Sequence, residues 1–184
     1  MRILFVMRHS GYLRNFESTL RLLCDRGHKV DLAFQAPGTH WLLDPGDVAE
    51  ELRATYPRFT RSVIPERVDA WGAAAREIRL TLDYLRYLTP TYRDAPKLRE
   101  RAARDVSPDV LAWTQGRLAG SDAGRRLFAG ALRALHRAIP CDPRIDAFLD
   151  VRRPDVLVVT PLIQPGAPQA EYVRSARALG IPVA

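Results

Sequence analysis

Cysteine is scarce in this 184-residue chain: Cys24 and Cys141 stand far apart with no metal-like spacing, so free thiols are expected rather than a disulfide or a zinc site. No apolar run approaches the length needed to cross a bilayer, and no secretory leader pattern precedes the first strand, so a cytoplasmic location is expected. Gly-x-Gly-x-x-Gly is missing, which leaves a dinucleotide-binding assignment without its phosphate turn. Lysine is nearly missing too: Lys29 and Lys97 are the only two, and the rest of the positive side of a +7 net charge is arginine. Residues 93–153 hold thirteen basic against eight acidic residues, so +5 of the excess falls in one segment. Arginine interspersed with alanine and proline is not the lysine-rich, aromatic-interleaved surface that tracks phosphates, and no nucleic-acid partner is expected.

What is present is the composition of a globular domain, 47% hydrophobic and 27% charged. Arg2 to Met7 is a short apolar run suited to a strand buried on both faces. Leu13, Phe16, Leu20 and Leu23 follow at helical spacing, with Asn15 as the expected N-cap and Gly27 as the left-handed residue after the helix; Lys29 to Phe34 is a second strand. A strand, helix and strand in so short a span imply a parallel crossover, and ligands in such sheets sit beyond the carboxyl ends of the strands. A turn-rich loop, Gln35 to Trp41, leads to a helix from near Asp44 to Tyr56. Phe59 to Ile64 is a third strand, and Trp71, Ala75, Ile78, Leu82 and Leu85 form a helical stripe ending at Thr89-Pro90.

From Tyr92 to Arg153 the pattern is helical, interrupted at Pro96, Ser107-Pro108, Gly116 to Asp122 and Ile139-Pro140. Leu127, Ala131, Leu135 and Ile139 share one face, widened by Phe128 and Leu132, while Arg126, Arg133 and Arg137 share another. The expectation is an apolar face packed on the domain with arginines in water; the alternative is a basic amphipathic helix in peripheral contact with an anionic membrane or a lipid-linked substrate. The sheet resumes with Pro154 to Thr160, then a helix from Pro168 to Leu179, then the first residues of another strand. That ending is expected of the front part of a longer protein. The fold class expected is α/β: a doubly wound, mostly parallel, Rossmann-like sheet of order 3-2-1-4-5 in a single domain over residues 1–184, with an all-helical insertion at about 92–153.

Three stretches carry a family resemblance: Met1-Arg2-Ile3-Leu4-Phe5-Val6, Leu20 to Val30 with its Leu-x-x-x-Gly-His-x-Val ending, and Arg153-Pro154-Asp155-Val156-Leu157-Val158-Val159. Together they resemble the amino-terminal domain of GT-B glycosyltransferases, and Tyr84 to Arg101 is similar to a subset of glycosyltransferase-like proteins of uncertain substrate. The resemblance implies a two-domain enzyme in which this domain binds the glycosyl acceptor, small or lipid-linked, and a carboxyl-terminal domain outside these residues binds a nucleotide-sugar donor. It implies no cofactor and no obligatory metal, and it implies that the 184 residues alone do not turn over substrate. Other readings are a non-catalytic binding or partner-docking domain, or half of a glycerophosphate-polymer-type transferase.

The candidate site residues lie on loops after the strands. The resemblance implies that His9, directly after the first strand, is the general base that takes the acceptor hydroxyl proton; imidazole suits this because its ordinary pKa lies near working pH. Ser10 and Gly11 let the backbone approach a ligand, and donors at the following helix start could meet a phosphate, although the loop lacks the family's glycine-rich form. His40 is a rival base, flanked by Thr39 and Trp41. Glu66 and Asp69 follow the third strand, where caps or solvated charges are the expectation. Gln164, Gly166 and Gln169 follow the fourth strand, where amide side chains can bind a polyol. His28 and His136 are expected to be structural.

Overall fold

Strand β1 (Arg2–Met7) is built from residues that can be buried on both sides at once, and Ile3 to Met7 are all buried. In the computed structural model, which describes residues 1–35, 48–116, 121–160, 162 and 166–184, β1 lies between β2 (Lys29–Gln35) and β4 (Val156–Thr160). Strand β3 (Phe59–Ile64) pairs outside β2. All pairings are parallel and the order is β3-β2-β1-β4. The fifth strand of the expected order is reduced to a parallel bridge between Leu157 and Val183, where the Leu157 N–H donates to the Pro182 carbonyl and the Ala184 N–H to the Leu157 carbonyl, both at 2.9 Å. The doubly wound α/β class, Rossmann-like in its sheet, is as expected.

The period of two along β1 separates two cores. Ile3, Phe5 and Met7 pack with Leu13, Leu20 of α1 (Glu17–Asp25) and Leu52 of α2 (Val48–Thr55). Leu4 and Val6 pack instead with Ile145, Phe148 and Leu149 of α7 (Pro143–Arg152) and Tyr172 and Ala176 of α8 (Ala170–Ala178). Helix α1 starts later than expected. Ser10–Asn15 forms a 3₁₀ turn and Phe16, not Asn15, is the N-cap residue, because Leu13 is drawn into the core one turn before the α-helix begins. Its far end is as expected: Gly27 has φ +78°, its N–H reaches the Cys24 carbonyl at 2.8 Å, and the His28 N–H reaches the Leu23 carbonyl at 3.1 Å, a Schellman turn that only glycine enters without strain. Cys24 and Cys141 are free thiols.

The chain divides into two compact units. The first, residues 1–67, 141–162 and 168–184, carries the sheet with α1, α2, α7 and α8; the second, residues 68–140 and 163–167, is helical among its described residues. The helical part thus begins earlier and ends earlier than the expected 92–153, taking in α3 (Ala70–Tyr87) and leaving α7 with the sheet. The reason is packing: Leu80 and Tyr84 of α3 join Ala102 of α4 (Pro96–Ala103) and Val106, with Val110 and Leu111 of α5 (Pro108–Thr114) against them, and Leu85 joins Ala129 and Leu132 of α6 (Asp122–Ala138). Ile145 and Leu149 of α7, in contrast, are spent on the sheet.

Helix α6 corrects a further expectation. Leu127 and Leu135 are 78% and 58% exposed and Ala131 is exposed with them; of the expected central line only Ile139 is buried, while Leu132 and the partly covered Phe128, from the expected widened edge, form the buried face together with Ala129. Trp71, expected inside, is half exposed at the start of α3.

Candidate functional site

Because β1 and β4 are neighbours and parallel, with Ile3 opposite Val156 and Met7 opposite Thr160, their carboxyl ends lie at the same rim of the sheet. His9 lies two residues beyond β1 in extended backbone (φ −154°, ψ 162°), where its carbonyl accepts from the Tyr12 N–H at 3.3 Å and its ring lies 4.4 Å from the Tyr12 ring, tilted by 30°. Ser10 and Gly11 begin the 3₁₀ turn, and all three residues are half-buried. The turn separates them from α1, whose first turn carries Glu17 held by Arg21 at 2.9 Å. An acidic residue at a helix start lowers its attraction for a second anion, so a phosphate contact through α1 is disfavoured.

Gln169 stands at the start of α8, 1% exposed, its carbonyl accepting from the Tyr172 N–H at 3.1 Å. Neither Oε1 nor Nε2 of its side chain has a hydrogen-bond partner among the described residues. Gly166 belongs to the helical unit: its N–H donates to Asp83 at 3.3 Å, and a β-carbon there would lie 2.9 Å from Leu80 Cδ2, so its small size and φ of +65° serve close packing on α3. Burial pushes the Asp83 carboxyl above the usual range, against the opposing pull of that N–H. Thr39, His40, Trp41 and Gln164 lie outside the described residues.

A buried ion pair that sequence reasoning missed supports the same rim. Arg67, three residues beyond β3, meets Glu171 in the first turn of α8 at 2.9 Å, each side chain 4% exposed, and Arg174 adds a 3.4 Å contact to the same carboxylate. One residue further on, the Tyr172 hydroxyl donates to the Pro65 carbonyl at 2.6 Å, and burial raises its pKa far above the ordinary phenol value. These contacts tie the start of α8 to the end of β3 and so fix the backbone that carries Gln169. Glu66, between them in sequence, is exposed, and Asp69 caps α3 by accepting from the Gly72 N–H at 2.9 Å. Of the structural histidines, His28 Nδ1 lies 3.5 Å from the chain's amino group and His136 Nε2 lies 3.4 Å from Arg79.

The opposite rim is different in kind. A cavity of about 150 Å³ at the amino ends of the strands is crossed by Asp31, which binds Arg152 at 2.7 Å and accepts from Ser62 at 3.1 Å; the Arg152 guanidinium also lies 3.6 Å from the Phe148 ring centre. These groups satisfy one another and close that end of the sheet. Among the described residues no cluster of His, Cys, Asp or Glu could hold a metal ion, and no helix is long and apolar enough to cross a membrane.

Fold and rim together define a Rossmann-like α/β protein with polar side chains, His9 and Gln169 among them, beyond the carboxyl ends of its strands. Compared with known proteins, the chain matches no family model, no curated protein and no solved structure.

Proposed function

We propose that this chain is the acceptor-side half of a glycosyltransferase-like enzyme, with a nucleotide-sugar donor held by a second domain. The observation that carries the reading is the shared rim of β1 and β4, which has an imidazole, His9, on one loop and, at the start of α8, a buried amide, Gln169, without a hydrogen-bond partner among the described residues. An amide with both its donor and its acceptor unused is suited to a ligand that offers both at once, as the hydroxyl groups of a sugar or polyol do. In that arrangement His9 takes the proton of the attacking acceptor hydroxyl, and the ring of Tyr12 beside it restricts its orientation. Ser10 and Gly11 offer a small backbone approach to the acceptor.

The test uses protein expressed from the complete reading frame, supplied with a panel of nucleotide sugars and simple glycosides. Donor consumption that depends on acceptor is expected, with a loss of about 10²–10⁴-fold in kcat for His9→Ala and an unchanged melting temperature. Absence of any donor consumption, or a fully active His9→Ala enzyme, rejects the assignment.

A further inference from the structure

The helical unit carries an arrangement of charge that the reading above does not use. Helices α3 and α6 enclose a cavity of about 350 Å³, and a second of about 370 Å³ adjoins it, sharing Thr89, Pro90, Asp122 and Arg125. Six arginines line the pair: Arg86, Arg93, Arg99, Arg125, Arg126 and Arg133. Asp122, the single carboxylate among the described lining residues, is bound to Arg125. Arg86 is held in place, its Nε donating to the Tyr92 hydroxyl at 2.9 Å with its guanidinium 5.4 Å from that ring's centre. Arg93, Arg99, Arg126 and Arg133 make no ion pair among the described residues. The floor of the first cavity is apolar, formed by Leu82, Leu85 and Ala129.

Five of these arginines are exposed at the cavity mouths, and like charges gathered around a concave surface with an apolar floor sum to a local positive potential that concentrates anions there. Guanidinium groups in particular match phosphate oxygens in a planar fork, two bonds to a group. An apolar floor adds nothing for a bare inorganic ion but covers a hydrocarbon segment attached to one. The volume is at the lower end of the range of about 300–1,000 Å³ typical of small-molecule sites. We propose that this arginine-lined cavity between α3 and α6 binds a phosphorylated amphiphile, with the phosphate or diphosphate on the arginines and the first part of an apolar chain on Leu82, Leu85 and Ala129. None of the residues assigned to the transferase site lines either cavity, so the two readings stand or fall separately.

Such a phosphate arrives either on a free molecule or as a lipid headgroup, and the experiment separates the two. Calorimetric titration of the protein with inorganic phosphate and with decyl phosphate should show saturable binding, with the decyl ester tighter by about tenfold or more. In parallel, sedimentation with phosphatidylcholine vesicles, with and without phosphatidic acid, reports recruitment to a headgroup. Arg126→Glu combined with Arg133→Glu should weaken decyl phosphate by about tenfold or more. Arg93→Ser with Arg99→Ser, on the second cavity, is the independent variant; near-ultraviolet circular dichroism verifies the fold of both. Free-ester binding without vesicle recruitment assigns a soluble ligand, and recruitment that requires phosphatidic acid and is lost in the variants assigns a lipid headgroup; both support the site. Binding that is undetectable in both arms, equal for phosphate and its decyl ester, or unchanged in both folded variants overturns it.

Discussion

Burying a primary amide with neither end hydrogen-bonded costs about 1–3 kcal/mol, and among the described residues the Gln169 side chain at the start of α8 has no partner at either end. Replacing it by a leucine of similar size removes the unsatisfied groups and keeps the volume. Gln169→Leu should therefore raise the melting temperature by about 2–4 °C for each kcal/mol regained, while abolishing any polyol binding at the rim. A scanning calorimetry trace in which the variant melts below the parent would mean that the amide is satisfied in solution. The position of His9 was legible because an apolar run ending at Met7 places the next residues on the rim. The burial of Gln169 was not, since an amide in the first turn of an expected helix reads as exposed. Nor was the Arg67–Glu171 pair, whose members are 104 residues apart and whose meeting depends on β3 and α8 already being folded. Removing Arg67 takes the 2.9 Å partner from a buried carboxylate and leaves it the longer Arg174 contact, so Arg67→Ala should destabilise by about 2–4 kcal/mol in urea titrations.

Caps and faces are properties of elements. Asp142 caps α7 from a buried position, accepting from the Arg144 N–H at 2.9 Å and pairing with the Arg144 side chain at 2.9 Å, with Pro143 in the first turn. Burial alone would raise its pKa, but those hydrogen bonds prevail and hold it below the ordinary carboxylate value. Its contribution is therefore complete above the unfolded value, near about pH 3.9, and is lost as pH falls through the lower folded value. Asp142→Asn should flatten that part of the acid-unfolding curve, followed by far-ultraviolet circular dichroism; a curve parallel to the parent's down to pH 2 would contradict it. On α6 the periodicity offered two overlapping stripes, one through Leu127 and Leu135 and one through Phe128 and Leu132, about a hundred degrees of helix apart. Which one turns inward was decided by Leu85, Ile78 and Leu82 of α3, a choice that spacing within α6 could not reveal. Leu127→Gln and Leu135→Gln should each change stability by less than about 0.5 kcal/mol. A loss of 2 kcal/mol or more, the order expected for emptied core positions, would return these residues to the interior.

At the scale of the molecule, the sheet was the most readable part because strands covered on both sides need near-continuous apolar runs, and β1, β2 and β4 have them. The limits of the helical unit were less so, because a helix that packs on a sheet and one that packs on other helices share the same period; only the partners of α3 and α7 distinguish them. The net charge of +7 is likewise resolved by architecture, since six arginines converge on the cavities of one unit. The pairing of Ile3 with Val156 has a further consequence during synthesis. At about 5–20 residues per second, β1 waits for about 8–30 s after translation before its central-sheet neighbour exists, with one apolar edge uncovered. Chains truncated before β4 should thus be cleaved readily by a nonspecific protease and retained by chaperones, and both behaviours should cease once Thr160 and α8 are included.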